Sequence, residues 1–203
     1  NKLKVCGMRD AGNILDVARL SPDYMGFIFY KGSSRFVGNE FKVPEGLSAS
    51  IGRVGVFVNE SATEVMRLAA RHNLKFVQLH GNEEAGQCAA IRSSGLKVIK
   101  VFSVGDTFDF EAVKPYRKKV DFFMFDTKGM NFGGTGAVFD WTILRNYKMD
   151  IPFFLSGGLS PANVSGIPDG DVIHAIDVNS GVEKSPGLKD VKLLKDLIAG
   201  IPA

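Results

Sequence analysis

The chain has 203 residues, 45% of them hydrophobic, and 25 Lys and Arg against 22 Asp and Glu leave a net charge of +3. That length can bury a sizeable core, and no apolar run approaches the ~18 residues that cross a bilayer, so a membrane partner is not expected. The charge is spread along the chain without a dense basic block, which also argues against a nucleic-acid partner. The first residues, NKLKVCGMRD, lack the apolar stretch of a signal peptide. Two cysteines, Cys6 and Cys88, form no CxxC pair and suit a reduced, cytoplasmic setting.

Apolar, β-branched runs recur at about 25-residue spacing. They predict strands near Leu3–Cys6, Met25–Phe29, Arg53–Val58, Phe76–His80, Val98–Phe102, Asp121–Asp126, Pro152–Leu155 and Val172–Val178. The runs are continuous rather than alternating, as parallel strands covered on both faces should be. Ser61 and Glu64 read as a capping box ahead of an apolar stripe at Ala62, Val65, Met66 and Ala69. Ser160-Pro161 and Ser185-Pro186 each read as an N-cap followed by proline at the first helical position. The connection from Tyr30 to Ile51 carries little helix signal and reads as loop. Strands alternating with polar connections over the whole chain predict one α/β domain, residues 1–203, folded as a (β/α)8 TIM barrel. An open doubly wound sheet is the rival, but Cys6-Gly7-Met8-Arg9 stands where that fold carries its G-x-G-x-x-G.

In a barrel, the C-terminal ends of the strands build the site. Cys6 stands at the first such end, either as a small buried hydrophobe or as a general base or nucleophile. Cys88, among alanines in a helical pattern, reads as core. Asp126 ends an otherwise apolar strand, where a carboxylate is disfavoured without a reason. It reads as a general acid or as a structural carboxylate bonded to loop amides. The loop that follows, with Gly129, Gly133, Gly134 and Gly136, would let backbone approach a ligand closely. Gly157-Gly158 and Ser180-Gly181 follow the seventh and eighth strands, the usual phosphate position in this architecture, or else form tight turns. Arg35 in the long second loop is either a solvated surface residue or a guanidinium for a substrate carboxylate. His80 ends the fourth strand beside Gln78, with a structural hydrogen-bonding role or a site role. His72 reads as helix surface and His174 as packing. Three scattered histidines give no metal-ligand spacing.

The segments KVCGMRD (4–10), GFIFYKGSSRFV (26–37), VGVFVN (54–59), QLHG (78–81), FDTKGMNFGGTGAVFDW (125–141), LSGGLSPANV (155–164) and DVNSGVEKSPGLKD (177–190) together resemble the phosphoribosylanthranilate isomerases of tryptophan biosynthesis. The resemblance implies a (β/α)8 barrel without metal or cofactor. It implies an Amadori rearrangement of N-(5-phosphoribosyl)anthranilate to 1-(2-carboxyphenylamino)-1-deoxyribulose 5-phosphate. On the matching motifs, Cys6 becomes the general base, Asp126 the general acid and Arg35 the contact for the anthranilate carboxylate. Gln78, His80 and Asp177 become substrate-binding, and Gly157, Gly158, Ser180 and Gly181 phosphate-binding. A nearby cation or a helix terminus is needed to hold Cys6 as thiolate, and Arg9 is one source on offer. The chain departs from many relatives at Arg9, Ser34 and Ser156, where Thr, Pro and Ala are frequent. The implied partner is a phosphorylated small molecule, taken up by a monomer or homodimer. The rivals are another sugar-phosphate isomerase barrel and a non-catalytic phosphate-binding barrel.

Overall fold

The structure, a computed structural model, describes residues 1–127, 140–168, 170 and 172–202. The glycine-rich loop at 128–139 lies outside the described residues. Eight strands, β1 (Lys2–Val5), β2 (Tyr24–Ile28), β3 (Gly52–Phe57), β4 (Phe76–Leu79), β5 (Lys97–Val104), β6 (Phe122–Thr127), β7 (Phe153–Leu155) and β8 (Ile173–Val178), form a closed barrel in chain order. Every neighbouring pair is parallel, and β1 closes on β8 with Lys4 opposite Asp177 and Val5 opposite Val178. The predicted strands thus sit where expected, and the predicted barrel is the fold.

Side chains alternate across each strand, so one parity faces the barrel interior and the other the surrounding layer. Tyr24, Val54, Ile99, Val101, Met124, Phe154 and Ala175 fill the interior as one buried cluster. The opposite parity, including Val5, Phe27, Val77, Phe123, Phe125 and Ile176, packs outward in a larger core with Ile14, Val65 and Ile91 from the helices. Both faces are dry, which is why the strands read as unbroken apolar runs. The N-terminal end of the barrel is aromatic. Tyr24 meets Phe76 and Phe154 edge to face, and His174 packs against Phe122 at 4.5 Å between ring centroids. His174 reaches this layer because the β7–β8 register shifts beside it, and its Nε2 lies 2.7 Å from the Tyr24 hydroxyl.

The outer layer departs from eight regular helices. Among the described residues, α-helices are α1 (Ala11–Ala18), α2 (Ala62–Arg71), α3 (Ala85–Ser93) and α4 (Val191–Gly200). Segments Phe110–Tyr116, Trp141–Asn146 and Val164–Gly166 wind only as 3₁₀ turns, the first containing Pro115. Ser61 caps α2 by accepting from the Glu64 amide at 3.2 Å. The reciprocal half of the box is missing, because the Glu64 carboxylate takes Arg67 instead, at 2.6 Å. Ser160-Pro161 opens no α-helix: the chain makes turns there, held by Asn163 Oδ1 on the Ser160 amide. Ser185-Pro186 likewise opens no α-helix: Ser185 ends a short strand, β9 (Glu183–Ser185), and Pro186 begins the turn into its antiparallel partner, β10 (Leu188–Lys189). The helix starts later, at Val191, where the Asp190 carboxylate accepts from the Lys192 and Leu193 amides. The Tyr30–Ile51 connection is loop, as expected. His72, expected on the surface, is buried at the end of α2, against Phe29 and Phe41.

A buried ion pair fixes the loops after β3 and β4. Lys100 Nζ bonds Glu83 Oε2 at 2.8 Å and the Gly81 carbonyl at 2.7 Å, and Glu83 Oε1 accepts from the Asn59 amide at 2.8 Å. Glu83→Gln leaves the Lys100 ammonium buried without its counter-charge, so urea unfolding should show a loss of about 3–5 kcal/mol; unchanged stability would remove this pair from the account.

Burial, with the nearby Lys2 ammonium, holds His174 below its usual 6.5. The unfolded chain therefore binds the proton more readily, and folding stability falls as pH drops through and below 6.5. Burial gives His72 the same sign. Unfolding midpoints above and below that pH should show a smaller acid loss in His174→Gln than in the parent, and equal losses would exclude His174 as a contributor.

Candidate active site

The C-terminal ends of the strands surround one cavity, lined by Cys6, Arg35, Gln78, His80, Asp126, Asp177 and the Gly157-Gly158 and Ser180-Gly181 loops. Interior parity explains why. Cys6 continues the inward positions of β1, Gln78 and His80 those of β4, Asp126 that of β6 and Asp177 that of β8. Ile28 and Val56 complete a small apolar cluster around Cys6. One wall is therefore apolar and the opposite one carries titratable groups.

Cys6 is 4% exposed. Gly26 on β2 makes its space, since a Cβ there would stand 2.7 Å from Cys6 Sγ and 3.2 Å from Lys4 Nζ. Burial pushes the thiol above its ordinary value, and the Lys4 ammonium beside it is the main influence pulling it back. The cation at Cys6 is thus Lys4, not Arg9. Arg9 points away, donating to the Ser34 carbonyl at 3.1 Å, with its stem against Gly187. Lys4 is fully buried and bonds Asp177 Oδ1 at 2.7 Å. Asp177 also accepts from Ser156 Oγ at 3.2 Å, so this carboxylate is engaged within the barrel.

Asp126 is 8% exposed, and its Oδ2 lies 3.3 Å from His80 Nε2. His80 Nδ1 is in turn 2.9 Å from the Gln78 amide nitrogen. Gln78, His80 and Asp126 form a chain across β4 and β6, and Gln78 Oε1 is buried with no hydrogen-bond partner among the described residues.

Arg35 reaches over the cavity from the second loop. Its Nε and Nη2 grip Glu183 at 2.9 and 2.7 Å. Nη1 has no hydrogen-bond partner among the described residues. Glu183 also takes Lys189 Nζ at 2.6 Å, and Lys189 holds Asn179 Oδ1 at 2.7 Å. Burial alone would push the Glu183 carboxyl up, yet Arg35 and Lys189 together draw it below the usual range. Gly7, with φ +74°, lets Arg35 and Asn179 pass, since a Cβ would meet both within 2.7 Å.

Gly157 and Gly158 turn the chain after β7 with φ +99° and +64°. Their amides find no acceptor among the described residues, and Ser180-Gly181 lies across the same cavity. Backbone donors gathered this way make a seat for an anion. Among the described residues, no group of three or more His, Cys, Asp or Glu is placed to hold a metal ion.

Sequence reasoning missed Lys4, Glu183 and Lys189. The first was legible: Lys4 and Cys6 are two apart on one strand and so share a face. The other two lie far from their partners in the chain, and nothing local marks the pairing.

The family model for N-(5'-phosphoribosyl)anthranilate isomerase matches residues 3–199. The chain belongs to that family. A curated N-(5'-phosphoribosyl)anthranilate isomerase of Parabacteroides distasonis is 42% identical, over 98% of this chain and 92% of that one. The crystal structure of phosphoribosyl anthranilate isomerase from Thermotoga maritima superposes with TM-score 0.85 at 35% identity, covering 98% and 97% of the two chains. Another isomerase structure, in complex with reduced 1-(o-carboxyphenylamino)-1-deoxyribulose 5-phosphate, gives TM-score 0.81 at 32% identity with the same coverage.

Gly157 resists replacement in this family member's site, for its φ is positive and a Cβ would collide with Thr127, 2.6 Å from that residue's backbone nitrogen. Gly157→Ala should cost about 1–3 kcal/mol of stability in urea unfolding; no cost would mean that the loop adjusts freely.

Proposed function

We propose that the chain converts N-(5-phosphoribosyl)anthranilate to 1-(2-carboxyphenylamino)-1-deoxyribulose 5-phosphate, an isomerisation of tryptophan biosynthesis, with Asp126 as general acid and Cys6 as general base. The observation that carries the assignment of roles is the placement of these two groups on β6 and β1, facing one cavity under the anion-seating loops. Protonated Asp126 gives its proton to the ribose ring oxygen, the C1–O bond breaks, and the glycosylamine nitrogen supplies the electrons that form the iminium. Thiolate Cys6 then takes the proton from C2. The C–H electron pair becomes the C1–C2 double bond and the iminium electrons return to nitrogen. The enolamine tautomerises to the ketone.

Gly157-Gly158 and Ser180-Gly181 seat the phosphate, and Nη1 of Arg35 takes the anthranilate carboxylate. Anchoring both ends aligns C1 and C2 between acid and base, the kind of positioning that accounts for much of enzymatic rate. His80, held by Gln78, orients Asp126, and Asp177 acts from below through Lys4. No step calls for a metal or cofactor. All the groups come from one chain, so a monomer suffices and a homodimer leaves the chemistry unchanged. The substrate is a small phosphorylated molecule. Among the described residues, no helix is long and apolar enough to cross a membrane, and the free thiols suit the cytoplasm.

The test is fluorescence loss of phosphoribosylanthranilate, made in situ, on adding the protein with EDTA present. Rapid loss is expected. Cys6→Ala and Asp126→Asn should each keep the fold by circular dichroism and lower kcat by ~10²–10⁴-fold. Unchanged turnover in either variant removes that residue from its role. Binding of a product analogue without turnover by the parent would favour a non-catalytic barrel.

A further inference from the structure

Lys4 is a lysine with no exposure inside a barrel, and no proton passes through it in the chemistry above. It sits on β1, two residues before Cys6 and on the same face, and bonds Asp177 Oδ1 at 2.7 Å. Gly26 opens the space in which ammonium and sulfur meet, since one Cβ there would touch both. We propose that Lys4 is the positioning residue of the Cys6 base: its ammonium faces the sulfur and stabilises the thiolate, and Asp177 sets how much of that charge the sulfur feels. The proposal rests on reading Cys6 as the general base.

The surrounding charges define the balance. Lys4 approaches Cys6 along β1, and Asp177 approaches Lys4 from β8. Lys189 lies behind the eighth-strand loop, tied to Glu183, and Arg35 covers the mouth, tied to the same Glu183. Asp126 faces in from β6 and disfavours charge on Asp177. Lys189 is largely compensated by Glu183. Among the described residues, Lys4 is the cation that acts most strongly on the sulfur, ahead of Lys189. A thiol in this dry setting loses its proton reluctantly. An ammonium in contact offsets that penalty, and a carboxylate on its other side weakens the offset.

Two substitutions should then move the thiol in opposite directions. Lys4→Met removes the stabilising cation. Asp177→Asn leaves the cation wholly to the sulfur. The measurement is the ultraviolet thiolate absorbance of each variant as a function of pH, taken as a difference from the same variant carrying Cys6→Ala, which cancels Cys88. Lys4→Met should raise the Cys6 midpoint by about 1–3 pH units, the usual effect of losing an adjacent opposite charge. Asp177→Asn should lower it, and the double variant should return it above the parent. In Lys4→Met the acid limb of kcat/KM should move with the thiol while KM changes little.

A Cys6 midpoint that stays at the parent value in both single variants overturns the proposal, whatever happens to turnover. Movement in the same direction in both overturns it too. Should Lys4→Met fail to fold, Asp177→Asn decides the matter, because an unmoved or raised midpoint there contradicts the shared cation. The reading of Cys6 as base fails separately, through full turnover in Cys6→Ala, and that result leaves the titration order intact.

Discussion

A lysine ammonium sealed inside a barrel is an expensive thing to fold, and the site is organised around making it tolerable. Lys4 carries its charge into a space lined by apolar side chains, where desolvation costs several kcal/mol per ion unless every proton finds an acceptor. Asp177 on the adjoining strand answers that need at 2.7 Å, and the β1–β8 register that closes the barrel is what sets the two opposite each other. Closure and charge pairing are one constraint. A one-residue slip of β1 would turn Lys4 and Cys6 outward together and place Leu3 and Val5 in the cavity.

The same device recurs at two other points of the rim. Lys100, behind the barrel wall, ties Glu83 to the carbonyls of the fourth-strand loop. Lys189 ties Glu183 to Asn179 and thereby steadies Arg35. In each case a buried lysine meets a buried carboxylate, and each carboxylate also bonds another element of the site. Such pairs are a poor source of stability, since apolar packing of the same volume often does as well. What they supply is fixed geometry at loops that otherwise carry glycine, turns and little secondary structure. The opposite end of the barrel needs no such anchoring. There Tyr24, Phe76, Phe122, Phe154 and His174 pack edge to face and tilted in one aromatic layer.

The strands were legible because both faces are buried, which writes each one as an unbroken apolar run. Cys6 and Asp126 were legible for a related reason: a polar group closing an apolar strand stands out. The outer layer was much less so. Ser160-Pro161 and Ser185-Pro186 carry the local chemistry of helix starts, yet the chain makes a turn at one and a two-stranded ribbon at the other, because tertiary bonds from Asn163 and the pairing of Glu183–Ser185 with Leu188–Lys189 prevail over local preference. For the cation beside Cys6 the sequence points to the loop, at Arg9. It sits two residues earlier on the strand, at a position that period-two alternation alone places next to the thiol. The Arg35–Glu183 grip spans 148 residues of chain and has no local signature at all.

That grip bears on how the site takes its substrate. Arg35 gives two of its three nitrogens to Glu183, so its guanidinium is oriented before any ligand arrives and only one edge is left to offer. A pre-oriented cation loses less conformational entropy on binding than a free one. Glu183 is itself held by Lys189, whose backbone is clasped by Asn13 of α1 at 2.9 and 2.8 Å. The carboxylate contact at the mouth is thus referred, through three side chains, to the first helix of the barrel. Cys6 is referred to the last strand through Lys4 and Asp177. Both references meet at the junction where the chain closes on itself, so the acid on β6 faces groups whose positions depend on closure being complete. A barrel that failed to seal between β1 and β8 would lose its base, its cation and its carboxylate clamp together, while Asp126 and His80 would keep their places.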